Sequence, residues 1–157
     1  MLVIIIMGSP SDDPIGQRIA RTLDSFGIPW EMRVGSAHKV PRYILNLLEE
    51  YEADPRPKVY ITVAGRSNAL SGLVDGQVSA PVIACPPYAE KFAGGDLLSS
   101  LRMPSGIVPA VVLEPESAAL LAAKMLGLTE PDLRQKVQEA QEKQRQRLLD
   151  ADAILQE

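Results

Sequence analysis

One histidine stands in the chain, His38, inside the run Gly35-Ser-Ala-His-Lys39. A step that takes and returns a proton near neutral pH would turn to it first, because imidazole is the side chain whose ordinary titration lies there. A lone histidine is more often structural or merely exposed, so its place in a ligand loop at a strand end decides its meaning. Two other stretches carry similar chemistry. Gly8-Ser-Pro-Ser-Asp-Asp13 joins a glycine and two hydroxyls to acidic residues just before a helical pattern, and Gly65-Arg-Ser-Asn68 repeats the glycine and hydroxyl theme with a cation. Free N–H groups and the positive end of a helix dipole favour a phosphate at the first stretch, and Asp12 can accept from ribose hydroxyls. Ser11, Asp12 and Asp13 equally suit a helix cap. Lys39 can pair with a phosphate or stand solvated. Neither the phosphate-loop ending Gly-Lys-Ser/Thr nor Gly-x-Gly-x-x-Gly occurs at these stretches.

These residues need a scaffold, and the apolar pattern supplies one. Leu2–Met7, Trp30–Val34, Val59–Ala64, Val82–Cys85 and Ala110–Leu113 read as five strands, the first and third apolar nearly throughout, as parallel strands covered on both faces must be. Ile15, Ile19, Leu23 and Phe26 share a helical face between Asp13-Pro14, read as N-cap and first turn, and Gly27. Pro41 opens a second helix carrying Ile44, Leu45, Leu48 and Tyr51. A third spans roughly Asn68 to Gly76, and a fourth covers Ser117–Leu126. Alternating strands and helices predict an α/β three-layer sandwich: a doubly wound, mainly parallel five-stranded sheet with right-handed crossovers. Ligands of such sheets bind beyond the carboxyl ends of the strands, which is where the three stretches fall.

Two segments break the pattern. Residues 86–107 hold Pro86, Pro87, Gly94, Gly95, Pro104 and Gly106 around one helical turn near Asp96–Leu101, and so long a loop is more often functional than not. From Thr129 a long C-terminal helix is predicted, opened by a Thr129/Asp132 capping box and striped by Leu133, Val137, Ala140, Leu148, Ala151 and Leu155. So narrow a stripe suits packing first on the domain and then on another subunit. The expected organisation is one catalytic domain over 1–128, with 129–157 as its helical extension.

Composition narrows the classes. A net charge of −4 gives no basic footprint for nucleic acid, and 46% hydrophobic with 23% charged residues suits a soluble globular chain. The single cysteine, Cys85, cannot form an intrachain disulfide and reads as a small buried residue, and no Cys/His cluster has metal-ligand spacing. The opening run Leu2–Met7 is too short to span a bilayer, so a cytoplasmic protein without membrane partners is expected. One Trp, two Phe and four Tyr leave little material for flavin walls, and Ala64-Gly65-Arg66 stands where a receiver domain would want an aspartate.

Gly8-Ser-x-Ser-Asp12, Ser36-Ala-His-Lys39, Pro81-Val-Ile83 and Met103-Pro-x-Gly106 together resemble the PurE family of phosphoribosylaminoimidazole (AIR) carboxylases and mutases, in order from about Val3 to Leu128. The resemblance implies a flavodoxin-like fold, no metal or organic cofactor, and a homo-oligomer, tetramer or octamer. It implies a reversible carboxylation of the ribonucleotide AIR with His38 as proton carrier, and substrate binding by Ser9, Asp12, Ser36, Lys39, Gly65 and Ser67. Ser9 and Lys39 are then expected at the phosphate and Asp12 at the ribose, while Arg66 suits either the phosphate or a subunit contact. The mutases, which rearrange an N-carboxy isomer of AIR, typically carry a second histidine after the third strand. Ala64-Gly-Arg-Ser-Asn-Ala-Leu-Ser-Gly72 has none. That segment, Lys39, Cys85-Pro-Pro87 and Ser99-Ser-Leu-Arg-Met-Pro-Ser-Gly106 are similar to the class that uses carbon dioxide directly, including the carboxylase half of the animal bifunctional enzyme. The mutase activity is the nearest alternative.

Overall fold

The computed structural model describes residues 1–156. Strands β1 (Leu2–Met7), β2 (Trp30–Val34), β3 (Lys58–Val63), β4 (Val82–Ala84) and β5 (Ala110–Val111) form one sheet, parallel throughout, in the order β2-β1-β3-β4-β5. The helices are α1 (Asp13–Phe26), α2 (Pro41–Glu52), α3 (Ala69–Asp75), the single turn α4 (Leu98–Leu101), α5 (Pro115–Leu126) and α6 (Pro131–Leu155). This is the predicted flavodoxin-like sandwich with a long C-terminal helix.

All six β1 residues are buried because helices cover both sides of the strand. Val3, Ile5 and Met7 pack with Ile19 and Leu23 of α1, with α5, and with Leu133 and Val137 of α6. Leu2, Ile4 and Ile6 face the opposite layer, with Ile44, Leu47 and Leu48 of α2 and Leu70 and Val74 of α3. A uniform crossover hand demands this division: the helix must change face when the strand order reverses, and it reverses at β1. The reversal leaves a crevice between the loops that follow β1 and β3, the site of ligands in sheets of this order.

Several boundaries differ from those expected. Leu47, not Leu45, completes the fully buried face of α2. Strand β5 stops at Val111 instead of Leu113, although the Val112 N–H still donates to the Ala84 carbonyl at 2.9 Å. Asp12, not Asp13, occupies the N-cap of α1, and its carboxylate makes no capping bond. A 3-10 turn over Pro10–Asp12 leads into the helix and is itself capped by Ser9, whose hydroxyl accepts from the Ser11 N–H at 3.3 Å. The capping box at Thr129 does not form: α6 starts one residue later with Glu130 as N-cap, and Thr129 Oγ1 donates back to the Leu126 carbonyl at 3.2 Å. Residues 86–107 hold 3-10 turns at Glu90–Phe92 and Gly95–Leu97 besides α4. Of the 129–157 extension, Glu157 lies outside the described residues. Among the described residues no helix is long and apolar enough to cross a membrane.

Candidate active site

Each loop of the crevice is held by the backbone of the strand beside it. The Gly8 N–H donates to the Val63 carbonyl and the Gly35 N–H to the Met7 carbonyl, both at 2.8 Å, which joins the exits of β1, β2 and β3 into one rim. Past Gly35 the chain turns tightly: the Lys39 and Val40 N–H groups both donate to the Ser36 carbonyl, at 3.2 and 2.9 Å. The Ser36 hydroxyl also accepts from the Lys39 N–H at 3.3 Å. Gly35 is a position of close approach, since a Cβ there would overlap Ile44 Cδ1 on α2. The core thus fixes the base of the turn that presents His38 and Lys39, both exposed.

These loops enclose an open cavity of about 440 Å³, within the range of small-molecule sites. Ser9, Asp12, Ser36, His38, Lys39, Gly65 and Ser67 all line it, and so does Arg66. Three further contributors come from the loop region 86–107: Pro87, Ala89 and Asp96. Sequence reasoning marked that region as functional by its length and its Gly/Pro content but named none of the three. No spacing signal points to Asp96, whose contact is with a backbone group 30 residues away.

Burial raises the Asp12 carboxyl above the usual carboxylate range; a hydrogen bond from the Ser9 backbone and the charge of Arg66 oppose that shift without cancelling it. Ionised Asp12 is therefore disfavoured by its half-buried surroundings. Cys85 takes no part in the cavity. Burial, assisted by the charge of Glu114 and opposed by Arg18, pushes its thiol up to about 12, as suits a packing residue with no nucleophilic duty.

What the cavity can do follows from its donors. Lys39, Arg66, the serine hydroxyls and the loop N–H groups suit an anion, Asp12 suits hydroxyls, and His38 can exchange a proton with a bound molecule. Known proteins of similar sequence and structure give the chain its relatives. A family model described as AIR carboxylase matches residues 2–147. A phosphoribosylaminoimidazole carboxylase of Treponema denticola is 53% identical over 154 residues, covering 98% of this chain and 97% of that protein. One of Archaeoglobus fulgidus is 50% identical over 155 residues, covering 99% of this chain and 85% of its own length. The crystal structure of Treponema denticola PurE superposes with a TM-score of 0.97 at 52% identity, covering 99% of both chains.

Proposed function

The chain belongs to the AIR carboxylase family, and from that premise we propose that it joins carbon dioxide to 5-aminoimidazole ribonucleotide, reversibly, with His38 as the proton carrier. The observation that carries the proposal is the convergence of His38 with Ser9, Asp12, Ser36, Lys39, Gly65 and Ser67 on one cavity at the strand-order reversal. Lys39 and Ser9 take the phosphate, Asp12 takes the ribose hydroxyls, and the aminoimidazole lies toward His38.

The exocyclic amine of AIR pushes electron density onto the neighbouring ring carbon, as in an enamine. That carbon forms a bond to the carbon of CO2, and one C=O electron pair moves onto oxygen to give the carboxylate. N–H donors of the 36–38 turn and of Gly65 stabilise the growing negative charge. The ring carbon then holds both a hydrogen and the new carboxylate. His38 removes the proton, and the ring recovers its aromaticity. In reverse, His38 returns the proton to the carbon and CO2 departs. The protein's share is to hold the two reactants in register, which turns an encounter in solution into a nearly unimolecular step. Use of carbon dioxide, in preference to rearrangement of an N-carboxy isomer, is supported by the absence of histidine from Ala64–Gly72 and by Lys39.

Titration of AIR into the chain tests where the nucleotide sits. Lys39→Ala and Asp12→Ala should each weaken binding by about 1.5–3 kcal/mol, the worth of a charged hydrogen bond. Unchanged affinity in both variants, or no binding by the wild type, would contradict the proposal. Asp12 also gives the test a pH signature. Its folded-state pKa is raised, so its stability contribution is present at low pH and is lost as pH rises through that pKa. Asp12→Asn should consequently melt above the wild type at pH 7, and the gap should close as the pH falls through the carboxylate range.

A further inference from the structure

Arg66 is one of two non-glycine residues with positive φ among the described residues, at +59°, and it stands in the middle of a loop whose three members all line the cavity. A side chain in the left-handed region is disfavoured by its own Cβ, so something outside the loop must hold it there. Both peptide groups of Arg66 are caught by one segment. Its N–H donates to Asp96 Oδ2 at 2.7 Å, and its carbonyl lies 2.8 Å from the Ser99 hydroxyl, which also accepts from the Asn68 N–H at 3.0 Å. Gly65 leans on the same segment: a Cβ there would come within 3.1 Å of Pro87 Cγ and 3.4 Å of Asp96 Oδ2.

We propose that Asp96 is a positioning residue, whose carboxylate holds the Arg66 backbone left-handed so that Gly65 and Ser67 present their polar groups to the substrate. The proposal rests on the AIR-binding reading of this cavity. The bond is charge-assisted and short, and it fastens the loop after β3 to the turn at Gly95–Leu97. Without it, Arg66 relaxes to negative φ, which redirects the peptide planes on either side. Asp96 thus acts through the backbone it restrains, and an uncharged acceptor of the same shape can serve in its place.

The test pairs amide exchange over residues 65–68 with AIR kinetics in Asp96→Ala, Asp96→Asn and Arg66→Gly. Asp96→Ala should speed exchange and lower kcat/KM, each by about tenfold or more, while Asp96→Asn stays within about threefold on both, because its amide oxygen still accepts. In the Arg66→Gly background, where no Cβ resists the left-handed conformation, Asp96→Ala should cost less than about threefold. An equal loss in both backgrounds, or an Asn variant as impaired as the Ala variant, would overturn the proposal by making the charge itself the working part. Wild-type kinetics in Asp96→Ala would overturn it too. A wild-type chain that fails to bind AIR sinks the functional reading separately, since exchange still reports whether Asp96 holds the loop.

Discussion

Replacing His38 with Asn should lower turnover roughly 100- to 10,000-fold, the usual worth of a general acid–base group, while AIR affinity changes little. The asymmetry follows from the division of labour in the cavity. In the binding mode proposed here Lys39, Ser9 and Asp12 hold the phosphate and ribose, whereas His38 acts only after the new carbon–carbon bond has formed. Asn preserves size and hydrogen-bonding capacity but cannot carry a proton. His38 is exposed, and its turn is closed by Ser36 and Gly35, so the substitution removes no packing. The measurement is steady-state turnover beside isothermal titration of AIR. A variant that keeps wild-type turnover would remove His38 from the chemistry. One that loses binding in proportion to turnover would recast it as a ligand for the nucleotide.

Truncation after Leu128 should have the largest effect on stability. Leu133 and Val137 are buried against α1 and α5, and their removal forfeits about 3–6 kcal/mol at 1.5–3 kcal/mol per side chain. Two polar ties go with them. Lys136 Nζ donates to the Phe26 carbonyl at 3.2 Å, where a cation at the end of α1 also meets the helix dipole, and Arg134 donates to the Gly127 and Leu128 carbonyls at 2.9 and 2.8 Å. Against a domain stability of about 5–15 kcal/mol, this loss leaves a marginal fold, and the melting temperature should drop by roughly 10 °C or more. The outer half of α6 behaves differently. Leu148, Leu149, Ile154 and Leu155 are all exposed, so cutting after Gln141 should leave the melting temperature of an isolated subunit unchanged. We propose that this half contributes to a homo-oligomer, as the family resemblance suggests, and the shorter cut should then reduce the number of subunits counted by light scattering. A subunit number equal to that of the full chain would make the outer half a solvated appendage. An unchanged melting temperature after the longer cut would contradict the packing of its inner half.

The contrast between those halves shows how far sequence reaches. One apolar stripe runs along α6, and periodicity treats Leu133 and Leu155 alike, yet only the inner residues meet the domain. Elsewhere, long-range order was legible because burial on two faces writes an uninterrupted apolar run such as Leu2–Met7. Parallel pairing then forces the helical crossovers, and the strand ends bring three short polar loops together. The ends of elements were less legible. Thr129 and Asp132 have capping chemistry, but Pro131 starts the helix where the Thr129 hydroxyl already serves the Leu126 carbonyl. Asp96 and the left-handed Arg66 were the hardest to foresee. Their link joins a side chain to a backbone N–H across two loops, and no residue pattern encodes such a bond before the fold brings both ends together.

The chemistry proposed for this cavity turns on the identity of the carbon donor. The decisive measurement compares initial rates with AIR plus dissolved carbon dioxide and with the N-carboxy isomer alone, each with and without carbonic anhydrase and in the absence of nucleoside triphosphates. Direct carboxylation predicts immediate product from AIR and carbon dioxide. From the N-carboxy compound it predicts a lag, because that compound must first release AIR and carbon dioxide into solution. Immediate turnover of the N-carboxy compound, with none from AIR and carbon dioxide, would rule out direct carboxylation and make the chain a mutase.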